Sequence, residues 1–287
     1  MSDFGPTVTS SQNRWVKLAR SLQRRKARYA ERAFLVEGVR LITDALDAGA
    51  APSVLFIDAE KEHTALQELA AEAGARGARV VPVTSALLRS IADTETPQGV
   101  VGIFPFPQLG ERENAHDKVT APLILIADGI RDPGNLGTLL RAALGAGANG
   151  VYVTAGTTDP FAPKVVRAGM GAHFRLPIAH LDWRAPDPRI AGIATRIAAT
   201  ADADIVYDAI DWTAPACVII GSEADGLSPA AREFATATVR IPLAGGLESL
   251  NAAMAGTVIL FEAARQRRAR ELRGKGETIS VHTRHNP

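Results

Sequence analysis

The sequence lacks most of the features that mark secreted, membrane and metal-binding proteins. Among its 287 residues it has one cysteine, Cys217, so an internal disulfide is excluded and a reducing, cytoplasmic location is predicted. No apolar run approaches the roughly 20 residues that span a bilayer. The first residues lack the basic segment and following apolar run of a secretory signal, so none is predicted. The six histidines and single cysteine show no metal-ligand spacing, so we expect no metal.

The glycine motifs of nucleotide-binding enzymes are also missing from the places where they work. No predicted strand runs directly into a GxGxxG sequence that opens a helix, and the P-loop motif does not occur. This pattern argues against a nucleotide-dependent oxidoreductase, which uses such a loop to hold a pyrophosphate at a helix N-terminus.

Charged residues are distributed unevenly, although the net charge is only +1. Residues 1–40 hold nine Lys or Arg against three Asp or Glu, and residues 264–287 hold seven against two, so the middle is acidic. Basic ends on an acidic body indicate a polyanionic partner that contacts the ends. Solvated helix faces would give the same distribution, so charge alone leaves both interpretations open.

The pattern of apolar residues predicts an α/β protein with two units. Residues 1–105 are predicted to form the smaller unit, which opens with one basic helix and a short strand. Residues 106–121 are rich in proline and charge and are predicted to be a linker. In residues 122–287, strand candidates alternate with helices, which favours a mostly parallel sheet covered on both faces.

Three loops at predicted strand ends carry residues that suggest chemistry. In the first, a buried strand ends at Asp128, a Pro-Gly turn follows, and Asn135 is predicted to be the N-cap of an apolar helix. Arg141 lies about 140° around that helix from Leu136 and so points away from its apolar stripe. Ligands of α/β folds bind at such strand ends, although a surface arginine and a structural cap would look the same.

The second loop runs from a strand directly into Gly221 and Glu223. A glycine there lets a ligand approach the backbone, whereas Glu223 alone is equally a helix-capping residue. The third loop begins at Ile241, where a proline leaves the sheet, and Ser249 or Asn251 is predicted to cap a long helix. The small residues at the start of this helix predict that another backbone packs closely against it. Such packing is expected whether or not a ligand site is present. Together the three loops are suited to wrapping one flat ligand.

These segments together resemble the three motifs of the SpoU (TrmH-like) branch of the SPOUT RNA methyltransferases. The matching stretches are DPGNLGTLLRAALGAG, GSEADGL and IPLAGGLESLNAAMAGTVILFEAARQR, in the family's order and spacing. Residues 1–105 resemble the L30e-like domain that binds substrate in the ribosomal-RNA members. In one departure, Ala253 stands where the family usually has a second serine, so no hydroxyl is available there.

The resemblance implies an α/β SPOUT domain with a parallel sheet and a trefoil knot, preceded by the L30e-like domain. It also implies a homodimer whose interface builds the site, and S-adenosylmethionine-dependent 2′-O-methylation of a ribose in ribosomal RNA. The catalytic residues that it implies are Arg141, Asn135, Glu223, Ser249 and Asn251. The cofactor-binding residues that it implies are Ile220, Gly221, Ile241, Leu243, Gly245, Ser249 and Leu250.

Arginine chemistry then suggests how RNA and the reacting hydroxyl are handled. Arg141 is always charged, so we expect it to stabilise the developing alkoxide and clamp a phosphate, held by Glu223 and Asn135. The residues expected to contact RNA phosphates are Arg24, Arg25, Lys26 and Arg28, joined by Arg265, Arg267, Arg268 and Arg270 of the last helix. Such binding should weaken steeply with salt.

Two alternatives remain at this point. The first is a tRNA substrate for the same chemistry, against which the extra N-terminal unit argues only weakly. The second is a non-catalytic RNA-binding or ribosome-assembly factor that kept the fold, against which the presence of Asn135, Arg141, Glu223 and Asn251 argues.

Overall fold

A computed structural model of the chain describes residues 4–61, 63–107 and 121–274, which form two β-sheets with helices packed against them. Residues 4–107 are called the N-terminal unit below, and residues 121–274 the C-terminal unit. Most of the predicted linker lies outside the described residues, so the boundaries of the two units stay a prediction. Every helix in the described ranges is too short or too polar to cross a membrane.

The N-terminal unit contains a mixed four-stranded sheet. Its strands are β1 (Ala33–Glu37), β2 (Val54–Asp58), β3 (Arg79–Val83) and β4 (Val100–Pro105). Its helices are α1 (Arg14–Ser21), α2 (Arg25–Glu31), α3 (Val39–Asp47), α4 (Thr64–Ala75) and α5 (Ser85–Arg89). The strand order is β1-β4-β2-β3, with β4 antiparallel to both neighbours and β2 parallel to β3.

The prediction of one basic helix before β1 is wrong, because the chain forms α1 and α2 with a break between them. Arg24 has extended backbone angles at this break. The Arg28 guanidinium folds back and donates to the carbonyls of Leu22 at 2.7 Å and Gln23 at 2.9 Å. Carbonyl groups that a continuous helix would satisfy are therefore satisfied by a side chain.

The C-terminal unit contains a seven-stranded sheet in which every pairing is parallel, as predicted. Its strands are β5 (Leu123–Asp128), β6 (Gly150–Thr154), β7 (Ile178–Leu181), β8 (Thr195–Ala199), β9 (Ile205–Val206), β10 (Ala216–Gly221) and β11 (Ala237–Arg240). Its helices are α6 (Pro133–Gly145), α7 (Pro163–Gly169), α8 (Pro188–Ala191), α9 (Pro229–Phe234) and α10 (Ala252–Gly274). Short 3₁₀ turns lie at Ala172–Phe174 and Tyr207–Ala209.

The strand order of this sheet is β7-β6-β5-β10-β8-β11-β9. Strand β10 therefore enters between β5 and β8, which are far apart along the chain, and separate apolar clusters pack on the two faces. In parallel sheets the carboxyl ends of all strands meet at one edge, where ligands bind. The trefoil knot implied by the resemblance stays a prediction.

The two units share one apolar cluster instead of meeting only through a linker. Phe34 of β1 packs against Phe161 and Phe174 of the C-terminal unit, with ring centroids 5.2 and 5.8 Å apart. A buried ion pair joins Arg28 of α2 to Asp159. Burial of aromatic rings and a satisfied ion pair together hold the N-terminal unit against the C-terminal sheet.

Candidate functional site

A cavity of about 510 Å³ opens at the carboxyl ends of β8, β10 and β11. Its walls come from the end of each strand, from the loop after β11 and from the start of α10. This volume lies in the range of cofactor and small-ligand sites. The residues that line it include Thr200, Ile220, Gly221, Glu223, Arg232, Arg240, Ile241, Leu243, Glu248, Ser249, Leu250 and Asn251.

The start of α6 differs from the prediction in a way that frees a site residue. The N-cap is Asp132, whose carboxylate accepts from the backbone N–H of Asn135 at 2.8 Å. The prediction that Asn135 caps this helix is therefore wrong. Because it lies inside the first turn, the Asn135 side chain donates to the Glu223 carboxylate and accepts from Asn251 at 3.0 Å. One residue from each of the three predicted loops thus joins a single hydrogen-bonded chain.

Glu223 is positioned by a tight turn after β10. Ser222 and Gly226 exchange backbone hydrogen bonds of 3.0 and 2.9 Å across this turn. A Cβ on Gly221 would lie 2.6 Å from the carbonyl oxygen of Gly226, so only glycine fits there. The sequence predicted that a ligand would approach the backbone of this glycine. The close approach that the structure shows is by the backbone of the chain's own turn.

Asp128 is a buried residue at the carboxyl end of β5. The sequence did not reveal that its carboxylate joins neighbouring elements. Its oxygens accept from the Ser228 N–H at 2.7 Å, the Thr154 hydroxyl at 2.8 Å and the Trp183 indole at 3.2 Å. It therefore ties the end of β5 to β6 and to the start of α9. Its position at the end of an apolar strand was the signal available, but a carboxylate at a strand end has many uses.

The third loop leads from β11 to α10 through two glycines in the left-handed region, Gly245 and Gly246, with φ of +71° and +73°. Asn251 then caps α10, and its side-chain oxygen accepts from the N–H groups of Ala253 at 2.9 Å and Met254 at 3.2 Å. Of the two caps that the sequence offered, the structure thus uses Asn251.

The small residues of α10 pack closely, as predicted. A Cβ on Gly256 would collide with Leu139 of α6 and lie 3.2 Å from Ile220 of β10. The helix therefore lies directly against the wall of the cavity. A larger residue at Gly256 would displace α10 or its neighbours.

The structure brings together most of the implied cofactor residues, but not all. Those that line the cavity are Ile220, Gly221, Ile241, Leu243, Ser249 and Leu250, together with Glu223 and Asn251 of the implied catalytic set. Gly245, Asn135 and Arg141 do not line it. Arg141 is exposed on α6 and has no hydrogen bond to any described residue. The prediction that Glu223 and Asn135 hold its guanidinium is therefore wrong within a single chain.

The predicted RNA contacts divide into exposed and buried residues. Arg24, Arg25 and Lys26 are exposed on and beside α2, and Arg25 lies over the Tyr29 ring at 5.3 Å. The prediction for Arg28 is wrong, because this side chain is 3% exposed and paired with Asp159.

The arginines of α10 also differ in what their side chains contact. The prediction for Arg267 is wrong, because it donates to the carbonyls of Ala121 at 2.6 Å, Trp212 at 2.8 Å and Ala214 at 2.9 Å. It therefore ties α10 to the segments that precede β5 and β10. Arg265 is exposed but paired with Glu262 at 2.7 Å. Arg268 and Arg270 are exposed on the same helix, where phosphate contact stays a prediction.

The cavity residues that the sequence interpretation missed include two arginines, Arg232 of α9 and Arg240 at the end of β11. Arg240 directly precedes Ile241 in the third motif, so its place at a strand end was a signal. Within residues 4–61, 63–107 and 121–274, no group of three or more His, Cys, Asp or Glu could hold a metal ion.

Comparison with protein families gives two matches. Residues 122–261 match the family described as the SpoU rRNA Methylase family. Residues 13–102 match the family described as the MRM3-like substrate binding domain. The two matches fall on the C-terminal and N-terminal units respectively.

Individual proteins resemble the chain over most of its length. The human mitochondrial rRNA methyltransferase 3 is 36% identical over 86% of the chain and 69% of its own length. The 23S rRNA (guanosine(2553)-2'-O)-methyltransferase RlmP of Bacillus subtilis is 27% identical over 88% of the chain and 97% of its own length. The crystal structure of an AdoMet-bound rRNA methyltransferase from Sinorhizobium meliloti is 35% identical, with a TM-score of 0.75, covering 91% of the chain and 97% of that structure.

Proposed function

The chain belongs to the SpoU rRNA methylase family, and from that premise we propose that it is an S-adenosylmethionine-dependent 2′-O-methyltransferase acting on ribosomal RNA. The observation that carries the proposal is the convergence of the three loops. The Asn135, Glu223 and Asn251 side chains are hydrogen-bonded at the edge of a cavity that six of the implied cofactor residues line. RlmP, named as a guanosine 2′-O-methyltransferase of 23S rRNA, supports the reaction type.

The cavity suits an adenosyl cofactor in size and in lining. Ile220, Leu243 and Leu250 supply apolar surface, and Gly221 leaves the end of β10 without a side chain. When bound, S-adenosylmethionine supplies a methyl group already activated by a sulfonium. The protein then has to hold the two reactants in line and to help the 2′-hydroxyl lose its proton.

The hydrogen-bonded chain of Asn135, Glu223 and Asn251 orders the rim of the cavity. Asn251 is fixed as the cap of α10, so its amide is aimed at Asn135, which in turn holds the Glu223 carboxylate. A carboxylate at this rim favours a positively charged ligand beside it. Ser249, exposed on the same loop, offers a hydroxyl to the incoming ribose.

Arg141 is assigned to the developing alkoxide and to a neighbouring phosphate. Since it lies outside the cavity wall of its own chain, we infer that it works across a homodimer interface. Large apolar side chains support such an interface, because Met254 and Phe261 of α10 are 59% and 48% exposed. Phe261 lies close to Gly145 of α6, the helix that carries Arg141. A chain that remains monomeric when it is active would contradict this part of the proposal.

We assign RNA binding to the N-terminal unit. Arg24, Arg25 and Lys26 form an exposed basic group on and beside α2, which suits sequence-independent contact with phosphates. We keep the proposed units as residues 1–105 and 122–287, joined by the linker 106–121. We also propose a cytoplasmic location, on the strength of the single cysteine.

The test maps 2′-O-methyl groups in total RNA from cells with and without the gene, and then restores one missing site in vitro with the pure protein and S-adenosylmethionine. We expect a single ribosomal RNA position to lose its methyl group. A lost tRNA position would favour the tRNA alternative. Unchanged RNA together with no thermal shift on adding S-adenosylmethionine would favour a non-catalytic assembly factor.

A further inference from the structure

The cavity carries two positively charged side chains that the three motifs do not explain. Arg240 is the last residue of β11 and is half-buried, and Arg232 reaches the cavity from α9. Within the described ranges, neither guanidinium has a hydrogen bond or an ion pair.

Arginines at other half-buried or buried positions are satisfied by the fold itself. Arg28 is paired with Asp159, and Arg196 and Arg267 donate to backbone carbonyls. A guanidinium has five N–H donors and never loses its charge. Leaving the half-buried Arg240 guanidinium without an acceptor therefore costs free energy that a bound anion recovers, whereas Arg232 is exposed.

The sheet places this positive charge on one side of the cavity and a carboxylate on the other. Strand β8 lies between β10 and β11, and neighbouring strands are about 4.8 Å apart. The backbone at the end of β11, where Arg240 begins, is therefore about 10 Å from the end of β10, which leads to Glu223. A ligand that reaches from the end of β11 to the end of β10 therefore passes from Arg240 to Glu223, in a cavity that Glu248 also lines.

We propose that Arg240, assisted by Arg232, forms the subsite for the carboxylate of the cofactor's methionine arm. The inference rests on the proposed function, because S-adenosylmethionine is the occupant assigned to this cavity. The carboxylate is the single anionic group of that molecule, and the arginine fork matches a carboxylate with two parallel hydrogen bonds. Glu223, on the opposite side, lies where positive charge on the ligand is favoured. Arg240 is thus a cofactor-binding residue that selects for the amino-acid arm.

The test compares two ligands by isothermal titration calorimetry with the full chain. S-adenosylhomocysteine carries the carboxylate, whereas 5′-methylthioadenosine keeps the adenosine and sulfur but lacks the amino-acid arm. We expect Arg240→Gln to weaken S-adenosylhomocysteine by about tenfold and to leave methylthioadenosine unchanged. Arg232→Gln should show a smaller loss of the same kind, and Arg240→Lys should restore part of the affinity.

The control is Arg184→Gln, since Arg184 is exposed in this unit, as Arg232 is, but lies outside the cavity. It should bind both ligands as the unchanged protein does. Methylthioadenosine binding also reports that the cavity of each variant is folded.

Three results would overturn the inference. Equal weakening of both ligands would show that Arg240 only shapes the cavity. Unchanged binding of both would show that it does not touch the arm, and a fall in affinity for ribosomal RNA fragments alone would place it on an RNA phosphate instead. An unchanged protein that binds neither ligand would remove the proposed cofactor itself, which is a distinguishable failure.

Discussion

Arginine side chains differ between the junction of the two units and the cavity at the sheet edge, because the first has partners among the described residues and the second do not. At the junction, Arg28 is almost fully buried and donates to Asp159 and two carbonyls. At the cavity, Arg240 and Arg232 have no partner within the described part of the chain, and neither has Arg141 on nearby α6. An arginine that folding satisfies is structural, whereas one that folding leaves unsatisfied is available for a ligand.

The largest effect should come from removing the buried junction pair. Arg28→Met leaves the Asp159 carboxylate buried without its cation, so we expect a loss of about 3–5 kcal/mol in the free energy of unfolding. Urea unfolding measures this loss. Replacing both partners, as Arg28→Met with Asp159→Leu, should recover part of it.

The control is a second ion pair between the same units. Arg167 and Asp93 are 41% and 22% exposed, so Asp93→Asn should cost less than about 1 kcal/mol. Equal costs for the two changes would mean that burial does not separate these arginines, and the comparison would fail.

Arg141 tests the other half of the comparison, because its value should appear only in the reaction. Arg141→Lys keeps the charge but loses the planar fork, so we expect turnover on ribosomal RNA to fall about 100-fold. Affinity for S-adenosylhomocysteine should stay the same, since Arg141 does not line the cavity. Single-turnover methylation and calorimetry measure the two quantities.

The exposed Arg131, paired with Asp225 near the same site, supplies the matched control. Arg131→Lys should keep turnover within about twofold, as expected for a surface pair. If Arg141→Lys lost cofactor affinity and turnover in equal measure, its role at the alkoxide would be refuted.

The junction should also make stability depend on pH through His173. Burial lowers the pKa of this histidine to about 4, and its Nε2 bonds the Pro160 carbonyl at 2.7 Å. In the unfolded chain this histidine has its ordinary pKa of 6.5, so below that pH the unfolded chain binds a proton that the folded chain does not bind. The contribution of His173 to the free energy of unfolding is therefore complete above pH 6.5 and is lost as the pH falls towards 4.

Between pH 7 and pH 5 this difference amounts to about 2 kcal/mol of the free energy of unfolding. Urea titrations at the two pH values measure it, and His173→Gln should remove most of the difference. A variant with the same pH dependence as the unchanged protein would show that another group is responsible.

The smallest effect should separate the observed cap of α6, Asp132, from the predicted one, Asn135. Asp132→Ala removes the observed cap and should cost about 1 kcal/mol of stability. Asn135→Ala should cost less stability but should disturb the rim of the cavity, because its side chain bonds Glu223 and Asn251. Thermal unfolding of the two variants gives the order, and a larger loss for Asn135→Ala would contradict the observed capping.

Local patterns predicted much of the fold, because strands and helices are encoded by neighbouring residues. The alternation of strands and helices predicted the parallel sheet, and the size of the side chains predicted the close packing at Gly256. Capping chemistry predicted a cap at Ser249 or Asn251, of which the structure uses Asn251. The three loops were recognisable because each strand end carries its own glycine or polar residue.

What the sequence could not show depends on partners far away along the chain. Arg28 looked like one of four equivalent basic residues, because its partner Asp159 is 131 residues away. Asn135 looked like a cap because asparagine is a common N-cap residue. Its hydrogen bonds to Glu223 and Asn251 join residues 88 and 116 positions away in the sequence, so local patterns do not show them. Arg240 was overlooked because the absence of an ion pair can be recognised only when all its neighbours are known.

The distance between Arg28 and Asp159 also has a meaning for synthesis. A ribosome that adds about 5–20 residues each second needs roughly 7 to 26 s to make the 131 residues that separate them. During that interval the newborn N-terminal unit presents a cation with no acid to neutralise it. Newly made chains should therefore adhere to nucleic acid more strongly than finished ones, until the second half of the protein emerges.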